Sequence, residues 1–212
     1  MINPNEVSIL IFDLDGTISQ SDKATFLVIK KAFTDMGIKK SLTEEDVRKN
    51  LGEPTESFFK NLLGLDYASR WEEVAEKYDP MIPEFAIAFP RVAETLDILK
   101  KRGYRLALCS NCGKKYFDST LSKLNIRQYF DYAECHGENN LSKSEIVRKI
   151  IDKFPGLKSA VIGDKIHDIE AARENNALSV GVLYGYGKNE PEEADIKINK
   201  FPQLLEIFNG TN

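Results

Sequence analysis

The sequence predicts an α/β protein, a doubly wound and mostly parallel sheet carrying an inserted all-helical cap. Three observations carry that expectation. Short apolar, β-branched stretches alternate with helical stretches from residue 92 to residue 208, the pattern of βαβ units. The first strand, Val7–Phe12, is apolar at nearly every position, as in a strand covered on both faces. After that strand, residues 21–78 read as about four helices with no strand signal among them.

Val7–Phe12 runs into Asp13-Leu14-Asp15-Gly16-Thr17, which cannot continue a buried strand. Asp22–Met36 then places Phe26, Ile29 and Phe33 at helical spacing, and Gly37 is its stop signal. Thr43-Glu44-Glu45-Asp46 reads as a capped helix start. Pro54 and Gly64 bound a helix over Glu56–Leu63. Tyr67–Tyr78 is amphipathic, and Pro80 and Pro83 are expected to end it. Helices follow at Val92–Arg102, Lys115–Leu124, Ser142–Phe154, Asp168–Asn175 and Phe201–Phe208. Between them, strands are expected at Arg105–Cys109, within Tyr129–Cys135, at Ser159–Ile162 and at Leu178–Leu183.

Bulk properties narrow the function classes. The chain has 212 residues, of which 42% are hydrophobic and 29% charged, with a net charge of −4. That length suits one α/β domain with a modest insertion, and the apolar fraction suffices for a sizeable core. Basic residues neither exceed acidic ones nor cluster, so no nucleic-acid partner is expected. No apolar run approaches the roughly 18 residues that span a bilayer. Met1 to Glu6 is polar without a basic flank, and a cytoplasmic protein without a membrane partner is expected. Cys109 and Cys112 form a Cys-x-x-Cys pair, and Cys135 precedes His136. A redox dithiol or a zinc site would use them, but one such pair without a second is more simply three unrelated thiols.

The chemistry should lie at the C-terminal strand ends, where open α/β sheets bind ligands. The first strand ends in Asp13 and Asp15, the second in Ser110-Asn111, and the fourth in Gly163-Asp164, with Asp168 beyond. Asp13 and Asp15, two residues apart, face one side if the backbone is extended. Carboxylates held that close need a cation or a shared proton. Several carboxylates with few histidines suit a hard, oxygen-preferring ion, and Mg2+ fits because substrate phosphate can complete its shell. Read alone, each Asp pair would equally serve as a turn or a helix cap. Ser110 offers a hydroxyl, and the turn Asn111-Cys112-Gly113 offers N–H groups ahead of a helix, an arrangement that suits phosphate. Lys143, opening a later helix, would supply the positive charge that a phosphate dianion requires.

These pieces, in this order along essentially the whole chain, resemble the haloacid dehalogenase superfamily. Its first motif, Asp-x-Asp-x-Thr, matches Asp13–Thr17. Its second, a Ser or Thr closing an apolar strand, matches Ser110. Its third, a Lys starting a helix, matches Lys143. Its fourth, Gly-Asp-x-x-x-Asp, matches Gly163–Asp168. The helical insertion looks like the family's small cap, and Tyr184-Gly185-Tyr186-Gly187 is similar to a turn in phosphoglycolate-phosphatase-like members. Three positions depart from many relatives: Pro90-Arg91 where they have Pro-Gly, Lys143-Ser144 where they have Lys-Pro, and Lys165 where Thr or Arg is common.

The resemblance implies a Rossmann-like core over residues 1–18 and 90–212, with a cap over residues 19–89. It implies a Mg2+-dependent phosphatase acting on a small phosphorylated metabolite, as a monomer or homodimer. Asp13 would be the nucleophile and Asp15 the acid and base. Asp13, Asp15 (through its main-chain carbonyl), Asp164 and Asp168 would hold the metal. Gly16, Thr17, Ser110, Asn111 and Lys143 would bind phosphate, and Thr17 would also order its loop. Gly52-Glu53-Pro54, a turn between cap helices, is the candidate substrate loop. The cap aromatics Phe26, Phe33, Phe58, Phe59 and Trp71 read as cap core. His167, inside the fourth motif, reads as a surface residue at a helix start. A sugar phosphomutase and a phosphonate hydrolase of the same superfamily stay open. The latter would need a cap lysine, drawn from Lys23, Lys30, Lys31, Lys39, Lys40, Lys49 or Lys60. Asp15 counts against a dehalogenase. A phospho-receiver module from another class would carry its phosphorylated Asp after a later strand and would lack the insertion.

Overall fold

The computed structural model describes residues 2–210, and Met1, Thr211 and Asn212 lie outside the described residues. β1 (Val7–Phe12) starts the sheet and is buried nearly throughout. Leu10 and Phe12 join the apolar cluster on one face, Ile9 and Ile11 the cluster on the other. This is why the strand shows no polar alternation. A turn over Asp13–Ile18 leads to β2 (Ser19–Gln20) and then to four helices: α1 (Asp22–Asp35), α2 (Glu44–Asn50), α3 (Thr55–Leu63) and α4 (Trp71–Tyr78). Thr43 caps α2 through a reciprocal pair of bonds with Asp46. β3 (Ile87–Ala88) pairs antiparallel with β2, so the chain leaves and re-enters the core through a two-strand ribbon.

The core resumes with α5 (Val92–Lys101), β4 (Arg105–Ser110), α6 (Lys114–Leu124), β5 (Tyr132–Cys135), the short α7 (His136–Asn139) and α8 (Lys143–Asp152). It ends with β6 (Lys158–Gly163), α9 (Ile166–Glu174), β7 (Leu178–Val182), β8 (Ile196–Ile198) and the short α10 (Leu204–Ile207). The six-stranded sheet has the order β5-β4-β1-β6-β7-β8, with every pairing parallel. β1 is therefore flanked by β4 and β6, and the three motif-bearing strand ends lie side by side.

Four details differ from the sequence expectation. The β2–β3 ribbon is two residues per strand, too short for any period to register. β8 is also missed, because its three residues include an exposed Lys197. α4 ends at Tyr78 ahead of Pro80 as expected, but the chain goes on in a 3-10 segment, Asp79–Phe85, since that geometry tolerates the missing N–H groups. The last helix is a 3-10 turn, Phe201–Gln203, followed by α10.

One apolar cluster runs from a sheet face into the interior of the inserted helices, where Phe33, Phe59, Leu62, Val74 and Tyr78 are buried together. The Asp79–Phe85 segment packs on α6. The helices thus sit over the C-terminal strand ends rather than on a sheet edge.

Candidate active site

Asp13, first beyond β1, is held by its own N–H donating to the Ile162 carbonyl of β6 at 2.9 Å. Its Oδ1 accepts from Lys143 Nζ at 2.6 Å, and the same ammonium donates to Asp168 Oδ1 at 2.7 Å. All three side chains are almost wholly buried. Lys143 is fixed because it is the first residue of α8, whose N-cap Ser142 forms a capping box with Glu145. Asp168 sits at the third position of α9 and its Oδ2 accepts from the Lys165 N–H at 3.1 Å.

Asp164 completes the cluster. One carboxylate oxygen from each of Asp13, Asp164 and Asp168 lies within 4.8 Å of the others. Asp164 Oδ2 accepts from the N–H groups of Tyr186 and Gly187, whereas its buried Oδ1 has no partner among the described residues. The surrounding glycines make room for it. A Cβ on Gly16, where φ is +85°, would stand 2.4 Å from Asp164 Oδ2, and one on Gly185 2.3 Å from Asp164 Cβ.

Electrostatically the cluster is unbalanced. Three buried carboxylates face one ammonium. Burial pushes Asp13 well above the carboxylate range, with Lys143 opposing and Asp168 and Asp164 adding to the rise. Burial, then Asp168, raises Asp164 to about 7. Burial works against the Lys143 ammonium, but Asp13 and Asp168 outweigh it and hold it protonated. A hard cation would relieve both the like-charge repulsion and the orphaned Asp164 oxygen, and an all-oxygen donor set suits Mg2+.

Asp15 faces the cap side. Its Oδ1 accepts from Tyr116 Oη at 2.6 Å, a bond buried between β1 and α6. Burial raises its pKa, and that hydrogen bond opposes the rise. Asp13, Asp15, Ser110, Cys112 and Tyr116 form the core wall of a cavity of about 40 Å³. Its other wall comes from the cap, including Thr25, Gly52, Glu53, Phe58, Phe59 and Asp79.

The remaining expected residues fall into three groups. Gly52 and Glu53 line the cavity of Asp13 and Asp15, and Pro54, the next residue, does not. Gly52 has φ of +93° and its carbonyl accepts from Asn111 Nδ2 at 2.7 Å, while Glu53 pairs with His167 Nε2 at 3.2 Å. The Asn111 side chain and His167 therefore tie core to cap, a role for His167 that differs from the surface residue expected. Glu53 raises the His167 pKa through that bond, against burial. The Gly16 N–H, expected to face phosphoryl oxygens, donates instead to the Ser19 carbonyl at 3.0 Å because the turn closes tightly on itself. Thr17 is fully buried behind the turn, its Oγ1 without a partner among the described residues and its carbonyl bound by Tyr184 Oη. Phe33, Phe58 and Phe59 are buried in the cap, and Phe26 and Trp71 pack on its edge. Phe58 and Phe59 also line the cavity, so they are not cap core alone.

The cysteines are free. Cys112 adjoins Cys135 rather than Cys109, and burial raises its thiol, as it does that of Cys109. Sequence reasoning missed Tyr116, Thr25, Thr55 and Asp79. Tyr116 sits on the buried face of α6, where an aromatic reads as core. No helix among the described residues is long and apolar enough to cross a membrane.

The sequence profile of the family described as haloacid dehalogenase-like hydrolase matches residues 10–182. The chain is similar to a phosphoglycolate phosphatase of Agrobacterium fabrum, 30% identical, across 92% of this chain and 89% of that one. It is also similar to a phosphoglycolate phosphatase of Aquifex aeolicus, 25% identical, across 95% and 97%. Among solved structures, one described as a predicted phosphoglycolate phosphatase from Haemophilus somnus superposes with a TM-score of 0.83. That match covers 95% of this chain and 98% of the other at 24% identity, a likeness of fold.

Proposed function

The chain belongs to the haloacid dehalogenase-like hydrolases and is a phosphoric monoester hydrolase of the phosphoglycolate-phosphatase type, and on that premise we propose that it is a Mg2+-dependent phosphatase working through an aspartyl-phosphate on Asp13. The observation that carries this reading is the pairing of two differently placed carboxylates at one cavity. Asp13 is bound to Lys143 on the side of the acid cluster, and Asp15 is bound to Tyr116 on the side of the cap.

Asp13 attacks phosphorus, forming a bond from its carboxylate oxygen as the bond to the leaving oxygen breaks. Asp15, whose pKa burial raises, gives its proton to the departing alkoxide. It then takes a proton from the water that attacks the acyl phosphate, which releases inorganic phosphate and restores Asp13. Lys143 and the Ser110 hydroxyl meet the phosphoryl charge. The metal would be held by the carboxylates of Asp13, Asp164 and Asp168 with the Asp15 main-chain carbonyl, and would supply fixed positive charge for the transferring group. Residues 19–89 form the closing unit, hinged at the β2–β3 ribbon, and exclude water from the reacting centre.

None of the cap lysines lines the cavity of Asp13 and Asp15. That supports ester hydrolysis over a phosphonate hydrolase, which would need one there. The test is a panel of phosphate esters with Mg2+ and with a chelator, joined to intact-mass detection of phosphate on the chain. Turnover that survives exhaustive chelation would reject the metal. Turnover in Asp13→Asn would reject the covalent route.

A further inference from the structure

The leaving-group side of the cavity has a composition that the motifs do not dictate. From the cap it receives two carboxyl groups, Glu53 and Asp79, the hydroxyls of Thr25 and Thr55, and the apolar surfaces of Phe58 and Ile82. No Lys, Arg or His is among its lining residues. Asp79 lies at the start of the 3-10 segment that packs on α6, and it is placed with Thr55 over the turn after β4. A Cβ built on Gly113 would meet Thr55 Oγ1 at 3.2 Å and Asp79 Oδ2 at 3.8 Å. Glu53 is paired with His167, whereas the Asp79 side chain has no hydrogen-bond or ion-pair partner among the described residues. Asp79 is thus a carboxyl group free to meet whatever leaves on the Asp15 side.

We propose that Asp79 sets the substrate class: it makes the cavity discriminate against leaving groups that carry a carboxylate and favour small, neutral, hydroxylated alcohols. This rests on the phosphatase reading above. Phosphate charge would be met on the far wall, by Lys143 and by a cation held among Asp13, Asp164 and Asp168. Burial and then Asp15 raise Asp79 to about 7, so at pH 8 it is largely a carboxylate, and a second anion on the leaving group would lie beside it with no Lys, Arg or His among the residues lining the cavity. A hydroxyl there finds acceptors in Asp79 and the threonine oxygens, and the carbon chain finds Phe58 and Ile82. The space of about 40 Å³ suits a group of a few heavy atoms while the cap is seated as observed, and a larger leaving group requires the cap to part from the core. Like charges brought within a few ångströms in a protein interior suffice for a discrimination of about 10- to 100-fold. This separates the chain from the substrate in the names of its relatives, since glycolate is a carboxylate.

The test uses the full chain with Mg2+ at pH 8 and two esters of matched size, 2-phosphoglycolate and 2-hydroxyethyl phosphate, with 4-nitrophenyl phosphate as a third. The wild type should show kcat/KM for the hydroxyethyl ester at least about tenfold above that for phosphoglycolate. Asp79→Asn should narrow that gap about tenfold by raising the phosphoglycolate value, and Asp79→Ser should do the same without the amide. The nitrophenyl ester, whose leaving group carries no carboxylate, should keep its ratio to the hydroxyethyl ester in each variant, and circular dichroism melts report that each variant is folded. A wild-type preference for phosphoglycolate overturns the proposal. So does a gap that persists in both Asp79 variants, or one that Glu53→Gln closes instead. Failure of all three esters in the wild type would sink the phosphatase reading itself, and this proposal with it.

Discussion

The core and the cap contribute to one cavity by different means. In the core, adjacent parallel strands β4, β1 and β6 end together: the Asp13 N–H is held by the Ile162 carbonyl, Ser110 is in register with Cys135 of β5, and Asp164 follows β6 directly. Three carboxylates are held within 4.8 Å of one another at a cost that only rigid packing and a counter-cation can offset. In the cap, Thr25, Glu53, Thr55 and Asp79 come from a helix face, a loop, a helix start and a 3-10 segment. There the two carboxyl groups, Glu53 and Asp79, arrive on separate elements. A sheet can hold reactive groups in one geometry while the ceiling above it is free to vary, and chemistry and selectivity divide along that line.

The comparison breaks first at Asp13. Asp13→Asn keeps the shape and removes the nucleophile, so turnover of every ester should fall by roughly 10,000-fold or more. No cap substitution should come near that loss. Initial rates on an alkyl and an aryl ester decide it, and an Asp13→Asn enzyme within tenfold of wild type would put the chemistry elsewhere. Asp15→Asn comes second. General acid help is worth about 100- to 10,000-fold, and an alkyl ester should lose that much. An aryl ester leaves unaided, so it should give a burst of phenol and then stall, with phosphate retained on Asp13. Equal losses on both esters with no added mass on the chain would erase the division of labour between the two aspartates.

What could be read from sequence follows the same division. Asp13, Asp15, Ser110, Lys143, Asp164 and Asp168 were legible because each stands at the end of a strand or the start of a helix, where a polar residue after an apolar run is conspicuous. The cap helices were legible from period and caps, such as Thr43 with Asp46. Their placement over the site was expected from the family resemblance and not from period, and Thr25, Thr55 and Asp79 were not legible at all, because residues from separate helices meet through tertiary packing and follow no spacing rule. Tyr116 was hidden for another reason: its ring is core and only its hydroxyl reaches Asp15. Gly16 was read as a phosphate contact, whereas its N–H closes the turn and its bare Cα makes room for Asp164.

Stability separates the two regions further. Phe59 is buried in the cap, edge-to-face with Phe58 at 5.0 Å. Phe59→Ala should cost about 3–5 kcal/mol, measured by urea unfolding, because it leaves a cavity in the apolar cluster. The cluster is continuous with the sheet, so one cooperative transition is expected; two resolved transitions would make the cap an independent folding unit. A smaller effect belongs to the core. Mg2+ at about 100 times its dissociation constant should stabilise the wild type by about 2.7 kcal/mol by mass action. Asp164→Asn should lose most of that gain when melting curves with and without the ion are compared. An undiminished Mg2+ response in Asp164→Asn would remove this residue from the metal site.

The smallest expected effect lies where the regions touch. Polar contacts join the core to the end of α2 and to the α2–α3 connection: Asn111 to the Gly52 carbonyl, His167 to Glu53, and Lys165 Nζ to the Arg48 and Lys49 carbonyls in the last turn of α2, at 3.5 Å each. His167 and Glu53 are each 36% exposed, so their pairing is screened by solvent and should contribute only about 0.2–1 kcal/mol in a double-mutant cycle of Glu53→Gln and His167→Gln. That energy bears on the closed state alone. Each single variant should therefore raise KM by about two- to fivefold and leave kcat for the aryl ester nearly unchanged. The pair should be no worse than the poorer single variant, since the second change removes a bond already broken. A large fall in kcat, or strict additivity in the cycle, would mean that Glu53 acts on the reacting groups themselves. The boundary drawn here between a core that reacts and a cap that selects would then have to move to include it.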